Sequence, residues 1–355
     1  MDKNLTRQDK AEENEVEWHD AKSLAIYGLI PDEKYFGVRM PRDVAESVSG
    51  GVLAFCKYTT GGRVRFSTDS PFIALKVEYG PGDIPTVNNN CVSYGFDLYR
   101  LKDGREIFAA SARPTNESER QTAEYKMLAR NNGEYRFYTL NMPIFTSIKS
   151  LLIGIKKGSQ FGPGAKYRNQ KPVVYYGSSI THGIAAGRPG NTYPAFISEK
   201  YNLDYLNLGF AGQAKGEQSM AEYIASLPMS VFVCDYDHNT PNVSHLVQTH
   251  FPFYQTIRAK HPDIPYIMVS KPDFFLNPVE NGKRRQVIID SYERAKALGD
   301  QNVYFINGET LFEGEFAESC TNDGTHPNDL GFFRMASKIG PVVAAACKSV
   351  GIEID

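Results

Sequence analysis

The sequence predicts an antiparallel β-sandwich followed by a doubly wound parallel α/β domain, and three observations carry that prediction. Short runs in the first part alternate apolar and polar residues. In the last part, apolar strands alternate with helical patterns. Between the two lies a Gly-, Pro-, Lys- and Gln-rich stretch at 158–171 that suits a linker. With 355 residues the chain also exceeds the comfortable size of one hydrophobic core, which favours two domains.

In the first part, period-two alternation marks half-buried strands. It runs through Val52-Leu53-Ala54-Phe55-Cys56-Lys57-Tyr58, Arg63-Val64-Arg65-Phe66, Ile73-Ala74-Leu75-Lys76-Val77-Glu78-Tyr79 and Tyr135-Arg136-Phe137-Tyr138-Thr139-Leu140. Turns are signalled at Gly61-Gly62, Pro81-Gly82-Asp83 and Asn131-Asn132-Gly133. No long helical pattern interrupts them. The sandwich is therefore expected over 1–165, with 1–17 as a flexible lead-in.

From 166 to 355 the pattern predicts strands at 173–177, 204–209, 230–236, 265–270 and 302–307. Helices are expected at about 191–201, 217–227, 242–261, 283–298 and 327–349. Such alternation implies parallel pairing through right-handed crossovers, with helices on both faces of the sheet. Sheets of this kind bind ligands at the carboxyl ends of their strands. Ser179 stands just past the first of those ends.

Composition narrows the function. A formal charge of −2 gives no global field for nucleic acid or an anionic membrane. Twenty-one Tyr and 21 Phe against one Trp suit a β-rich domain. The five cysteines (Cys56, Cys91, Cys234, Cys320 and Cys347) are odd in number, scattered and without a C-x-x-C, so no disulfide framework is expected. Residues 1–18 lack an apolar signal-peptide core, and no run approaches the ~18 apolar residues of a membrane span. A cytoplasmic protein is expected, or a secreted one if a leader has been removed.

Two distant motifs carry the chemistry. Gly177-Ser178-Ser179-Ile180-Thr181 ends an apolar strand, and its small residues permit a tight turn that exposes the Ser179 hydroxyl. A serine needs an adjacent base to become a nucleophile at neutral pH. Asp323-Gly324-Thr325-His326-Pro327 offers one, His326, with Asp323 placed to hold its Nδ1 proton. Pro327 suits the first turn of the last helix. A G-x-S-x-G elbow does not fit, because residue 181 is Thr. Gly212, after the second strand, lets a backbone N–H approach a reacting carbonyl, and Asn239, after the third, offers an amide to the same oxygen.

Taken together, these residues resemble the SGNH (GDSL-like) hydrolases, whose four blocks contribute Ser, Gly, Asn and His. Here they are Ser179, Gly212, Asn239 and the Asp323-x-x-His326-Pro327 element. The first part resembles the β-sandwich of one branch of that family, through Gly95-Phe96-Asp97-Leu98-Tyr99 and Trp18-His19-Asp20. Two departures stand out. Ser178 replaces the aspartate of the usual Gly-Asp-Ser, and the third block reads Asp237-His238-Asn239-Thr240 instead of Gly-x-Asn-Asp. If that loop is shifted, His238 or Asp237 faces the substrate in place of Asn239.

The resemblance implies a flavodoxin-like three-layer α/β/α catalytic domain and a metal-independent, cofactor-free serine esterase. Ser179 is the implied nucleophile, His326 the base and Asp323 its partner. The N–H groups of Ser179 and Gly212, with the Asn239 amide, form the implied oxyanion hole. Sandwich-bearing relatives point to an acetylated sugar or oligosaccharide as substrate. Acyl transfer by the same triad and an inactive carbohydrate-binding protein are the alternatives, and the oligomeric partner stays open.

The remaining candidates carry structural expectations. His238, His245 and His250 beside Asp235 and Asp237 fit no zinc spacing. Lys283-Arg284-Arg285 reads as a solvated helix start, His182 as a surface-loop histidine ahead of a pocket-lining one, and Cys320 as a buried packing residue ahead of a redox-sensitive neighbour of the acid–base loop. Asp97 and Tyr99 are expected to stabilise the sandwich or its contact with the catalytic domain. The loops 183–190 and 273–281 are expected to set acyl length and alcohol partner.

Overall fold

The computed structural model describes residues 13–272 and 276–354. The chain divides into two compact units. One comprises the described residues up to Arg39 together with Lys57–Lys166 and Arg188–Gly190. The other comprises Met40–Cys56, Tyr167–Gly187 and the described residues from Asn191 onward. Residues 40–56 and 188–190 thus lie in the opposite unit from the one expected by a single cut near 165.

The 52–58 run is also not a strand. Its first four residues lie in the second of two short helices, α1 (Arg42–Val48) and α2 (Gly50–Phe55). Ser49 caps α2, its hydroxyl accepting the Val52 N–H at 3.1 Å. Val52 and Cys56, one helical turn apart, are both buried in the core of the second unit. Over seven residues the apolar pattern fits either period, and the Ser-Gly-Gly start decides for the helix.

The first unit is a sandwich of two antiparallel sheets. Its strands are β1 (Val16–Asp20), β2 (Ile26–Tyr27), β3 (Arg63–Thr68), β4 (Phe72–Gly82), β5 (Phe96–Lys102), β6 (Arg105–Ala112), β7 (Thr122–Leu128), β8 (Arg136–Asn141), β9 (Thr146–Lys156) and β10 (Phe161–Pro163). One sheet runs β1-β9-β4-β7 and the other β10-β3-β8-β5-β6, with β2 paired to β3. The short helix α3 (Asn90–Ser93) leads into β5. Ile73, Leu75 and Val77 alternate inward from β4. They share a core with Val64, Phe66, Leu98 and Leu140 of the other sheet. Each such side chain contributes about 1.5–3 kcal/mol by leaving water.

Two expectations change here. The expected lead-in 1–17 already contains the start of β1, whose Val16 pairs with Lys156; the part before residue 13 lies outside the described residues. The presumed linker at 158–171 contains β10, an edge strand in which Phe161 pairs with Thr68.

The second unit is built on five parallel strands, β11 (Val173–Gly177), β12 (Tyr205–Gly209), β13 (Val231–Asp235), β14 (Tyr266–Val269) and β15 (Val303–Ile306). Their order is β12-β11-β13-β14-β15, the 2-1-3-4-5 arrangement of flavodoxin-like folds. After β11 come α4 (Ser179–His182) and α5 (Tyr193–Tyr201), then α6 (Gln218–Ser226), α7 (Val243–Lys260), α8 (Pro278–Ala297) and α9 (Asp329–Ser349).

The core strands β11, β12 and β13 are buried on both faces. Val174, Tyr176, Leu208, Phe232 and Met268 point into one core with residues of α6, α7 and α8. The alternate residue Tyr175 points the other way, its ring edge-on to Tyr193 of α5 at 5.7 Å, and α5 packs on α9. Three layers result.

By length and composition α9 could cross a membrane, a feature the sequence reading did not find. Its apolar face, including Phe332, Met335, Ile339 and Val343, is buried. Pro327 is not in its first turn. The helix starts at Asp329, because Asn328 caps it by accepting the Leu330 and Gly331 N–H groups.

Candidate active site

In a 2-1-3-4-5 sheet the order of connection reverses between the first and third strands, which opens a crevice at their carboxyl ends. Here those strands are β11 and β13, with β12 beside β11. Ser179 follows β11, Gly212 follows β12 and Asn239 follows β13.

The Ser179 turn is fixed by local chemistry. A Cβ on Gly177 would lie 2.1 Å from Thr181 Oγ1 and 2.4 Å from the Asp235 carbonyl oxygen, so only glycine fits. Ser178 N–H donates to the Asp235 carbonyl at 3.2 Å. Ser178 Oγ accepts the Ile180 N–H at 3.1 Å and caps α4. This explains how serine replaces aspartate at 178, since both are good N-caps. At the other end Gly183, at φ +103°, closes the helix in the left-handed region. Ser179 is the first helical residue, so its own N–H has no intrahelical acceptor. From behind, Thr181 Oγ1 and Tyr193 OH both donate to the buried Asp235 carboxylate, at 3.1 and 3.3 Å.

The 320–328 loop is equally determined. Thr321 and Pro327 form an antiparallel bridge, Asn322 N–H donates to the His326 carbonyl, and Asn328 N–H donates to that of Cys320. Inside this turn Asp323 Oδ1 accepts the backbone N–H of Thr325 at 3.0 Å and of His326 at 2.8 Å. Asp323 Oδ2 lies 2.7 Å from His326 Nδ1. His326 Nε2 lies 3.0 Å from Ser179 Oγ.

Ser179, His326 and Asp323 thus form one hydrogen-bonded chain. With the ring proton on Nδ1 against the carboxylate, Nε2 presents its lone pair to the serine hydroxyl. Burial alone would raise the Asp323 carboxyl. Hydrogen bonds from the His326 N–H, the His326 ring and the Thr325 N–H, with the imidazole's charge, hold it below its usual value.

Gly212 adopts φ +69°, and a Cβ there would meet open space, so the backbone conformation is what favours glycine. The N–H groups on both sides are engaged, Ala211 to His182 Nδ1 at 3.4 Å and Gln213 to the Phe210 carbonyl at 2.9 Å. Asn239 ends a one-turn helix, Asp237–Asn239, and its buried Oδ1 makes no hydrogen bond. Among the described residues, no hydrogen bond joins Gly212 or Asn239 to the Ser179–His326–Asp323 chain.

Asp237, the alternative to Asn239, turns inward. It is 1% exposed, and Oδ2 accepts the Lys271 N–H at 3.2 Å. Burial raises its carboxyl, with the Lys271 N–H and nearby cations opposing.

Several bland expectations change. His182 is fully buried in α4, edge-on to Phe55 at 5.7 Å, and accepts from the 210–214 turn. Arg284 is buried and donates to the carbonyls of Asp237 and Thr240. Sequence reasoning named His182 and Asp235 but not these roles, although their places at the end of α4 and of β13 were a signal. Cys320 is buried as expected, and burial raises its thiol. Among the described residues, no group of three or more His, Cys, Asp or Glu could hold a metal.

In the sandwich unit, Asp97 is fully buried. It accepts from Gly190 N–H at 2.8 Å and Asn141 Nδ2 at 2.7 Å, with Arg188 Nε at 3.4 Å. Burial pushes its carboxyl up to about 6 against those three partners. Arg188 lies over the Phe108 ring at 4.1 Å and donates to Tyr99 OH at 3.2 Å. Part of the 183–190 loop is therefore held by the Gly95–Tyr99 signature. Of the other expected specificity loop, residues 273–275 lie outside the described residues.

Comparison with known proteins covers nearly the whole chain. Residues 170–344 match the GDSL-like Lipase/Acylhydrolase family, and residues 16–161 match the GxDLY domain, the N-terminus of SGNH-hydrolase-type esterases. No curated protein matches the sequence. Among solved structures, a Bacteroides ovatus protein described as a GDSL-like lipase is 27% identical. The match covers 96% of this chain and 99% of that one, at a TM-score of 0.85. The salicylyl-acyltransferase SsfX3 of a tetracycline biosynthetic pathway is 20% identical over 98% of each chain, at 0.71. An acetyl xylan esterase from the rumen bacterium Butyrivibrio proteoclasticus is 13% identical, over 93% of this chain and 98% of that one, at 0.58. The last two share the fold.

Proposed function

This chain belongs to the SGNH (GDSL-like) hydrolases, serine hydrolases that act on esters, and on that premise we propose that it cleaves small acyl esters, chiefly acetyl esters of carbohydrate. One observation carries the reading. The continuous path from Asp323 through His326 to Ser179, at 2.7 and 3.0 Å, is what a serine needs to act as a nucleophile.

Ser179 Oγ attacks the ester carbonyl as its proton passes to His326 Nε2. The resulting imidazolium is stabilised by Asp323. The tetrahedral oxyanion is held by the N–H groups of Ser179 and Gly212 and by the Asn239 amide. Collapse expels the alcohol, which takes the proton from His326 and leaves an acyl-Ser179. Water, deprotonated by His326, attacks that ester and releases the carboxylate and the free serine.

An acetyl group asks little of the acyl pocket, and a carbohydrate alcohol agrees with the acetyl xylan esterase among structures of this fold. The acyltransferase of the same fold keeps transfer as the second reading, with an alcohol in place of water at the acyl-enzyme.

The test is a panel of p-nitrophenyl esters from acetate to octanoate and acetylated xylo- and manno-oligosaccharides, run on wild type and Ser179→Ala. Fastest turnover on acetyl esters, with free acetate released from the oligosaccharides and no turnover by the variant, is the expected result. A preference for octanoate, or no acetate from any glycan, overturns the substrate assignment. A transfer product exceeding acetate when free sugars are added favours the second reading.

A further inference from the structure

The loop that leaves the Ser179 turn and the helix that follows His326 are tied together by one carboxylate. Asp329 is the first residue of α9, three positions after His326. Its Oδ1 accepts the Gly187 N–H at 2.7 Å, and its Oδ2 accepts Asn191 Nδ2 at 2.7 Å. The fit is close, since a Cβ on Gly187 would lie 2.5 Å from Asp329 Oδ2. Asn191 is 5% exposed, so that bond is shielded from water on its donor side. A weaker tie runs alongside, from Asn322 Nδ2 to the Ala185 carbonyl at 3.5 Å. Ala185, Gly187 and Asn191 are thus fastened to residues 322 and 329, which bracket Asp323 and His326.

Helix capping does not account for Asp329. Asn328 already caps α9 by accepting two N–H groups. An acidic residue in the first turn would favour the helix with its carboxylate in water. Both Asp329 oxygens are instead committed to a loop some 140 residues away in sequence, in short charge-assisted bonds. The bonds within the 320–328 loop orient His326 against Asp323, but they do not set that loop's distance from the Ser179 turn.

We infer that Asp329 is a positioning residue, which sets the approach of His326 Nε2 to Ser179 Oγ by clamping Gly187 and Asn191 to the start of α9. The inference rests on the reading of Ser179 as nucleophile. Displacing a reacting group by about 1 Å costs on the order of a hundredfold in rate. The clamp's bonds join protein groups to one another, so the loss should fall on kcat more than on KM.

The experiment measures kcat and KM for p-nitrophenyl acetate and the rate of fluorophosphonate labelling. It uses wild type, Ser179→Ala, Asp329→Ala, Asn191→Ala and the double variant Asp329→Ala/Asn191→Ala, each with a thermal melt. Each single loss at the clamp should lower kcat and labelling about 10- to 100-fold. KM should stay within about threefold, and the double variant should lose no more than Asp329→Ala alone, because both residues serve one tie.

Wild-type kcat in Asn191→Ala and Asp329→Ala, with Ser179→Ala inactive, overturns the inference and leaves the nucleophile standing. Losses that multiply in the double variant, or that fall on KM alone, overturn it as well. Full activity in Ser179→Ala is a different failure and removes the nucleophile itself. If Asp329→Ala does not fold, Asn191→Ala, which leaves the start of α9 intact, decides by the same kcat-against-KM split.

Discussion

Replacing Asp323 by Asn changes one atom and should reverse the direction of the proton path. The Asn oxygen can keep the two backbone N–H bonds that Oδ1 accepts from Thr325 and His326, so the loop should hold its shape. The other position, now N–H₂, faces His326 Nδ1, where the carboxylate stood at 2.7 Å. Two donors cannot share that contact. The ring must therefore carry its proton on Nε2, which then points a hydrogen at Ser179 Oγ in place of a lone pair.

The charge that balances the imidazolium in the transition state is lost as well. At a separation of about 4 Å and an effective dielectric near 20, that attraction is about 4 kcal/mol, or roughly 10³ in rate. The Asp323 side chain is one-third exposed, so water replaces part of it, and the expected loss in kcat is about 10²–10³. Initial rates with p-nitrophenyl acetate, beside a thermal melt, measure it. KM should move less than about threefold. A folded variant with kcat within tenfold of wild type would refute the assignment of Asp323.

Three further outcomes follow from named contacts. Gly177→Ala puts a methyl group 2.4 Å from the Asp235 carbonyl, which cannot move without disturbing β13; it should cost about 1–3 kcal/mol, read as a fall in the melting temperature of several degrees. Asn239→Ala should lower kcat about 10²–10³-fold with little change in melting temperature if the amide binds the oxyanion, and unchanged kcat would remove it from that role. Asp97 links pH to stability. Its folded-state value of about 6 lies above the unfolded 3.8, so the folded protein binds the extra proton between them, and stability is lost as pH rises through that window, by about 3 kcal/mol. Urea melts of wild type and Asp97→Asn at pH 4.5 and 7 should show the wild type losing more stability towards pH 7, and parallel behaviour would refute the assigned cause.

The parallel domain was legible because its strands are short, mostly apolar runs that alternate with helix-length stretches. All five strand positions lie within two residues of those expected. The meeting of Ser179 with His326 could be anticipated because strand order fixes where loops converge. What stayed hidden depended on partners distant in sequence. The 52–58 run was ambiguous until the core it shares with Met220 and Ala221 was known. Arg284 looked solvated because its acceptors, the carbonyls of Asp237 and Thr240, lie more than forty residues away. His182 was misjudged for the same reason, since the Ala211 N–H it receives belongs to another strand's loop. Local pattern identifies elements; pairwise satisfaction of buried polar groups does not show in a linear string.

The route of the chain has a practical consequence. Residues 40–56 complete the hydrophobic interior of the second unit, where Met40, Ala45 and Val52 belong to the same core as Met220, Ala221 and Ile224. A fragment begun at Tyr167 to isolate the hydrolase would leave that patch bare to solvent. Such a truncation would be sticky and prone to aggregate, so dissection of this protein calls for circular permutation or co-expressed pieces.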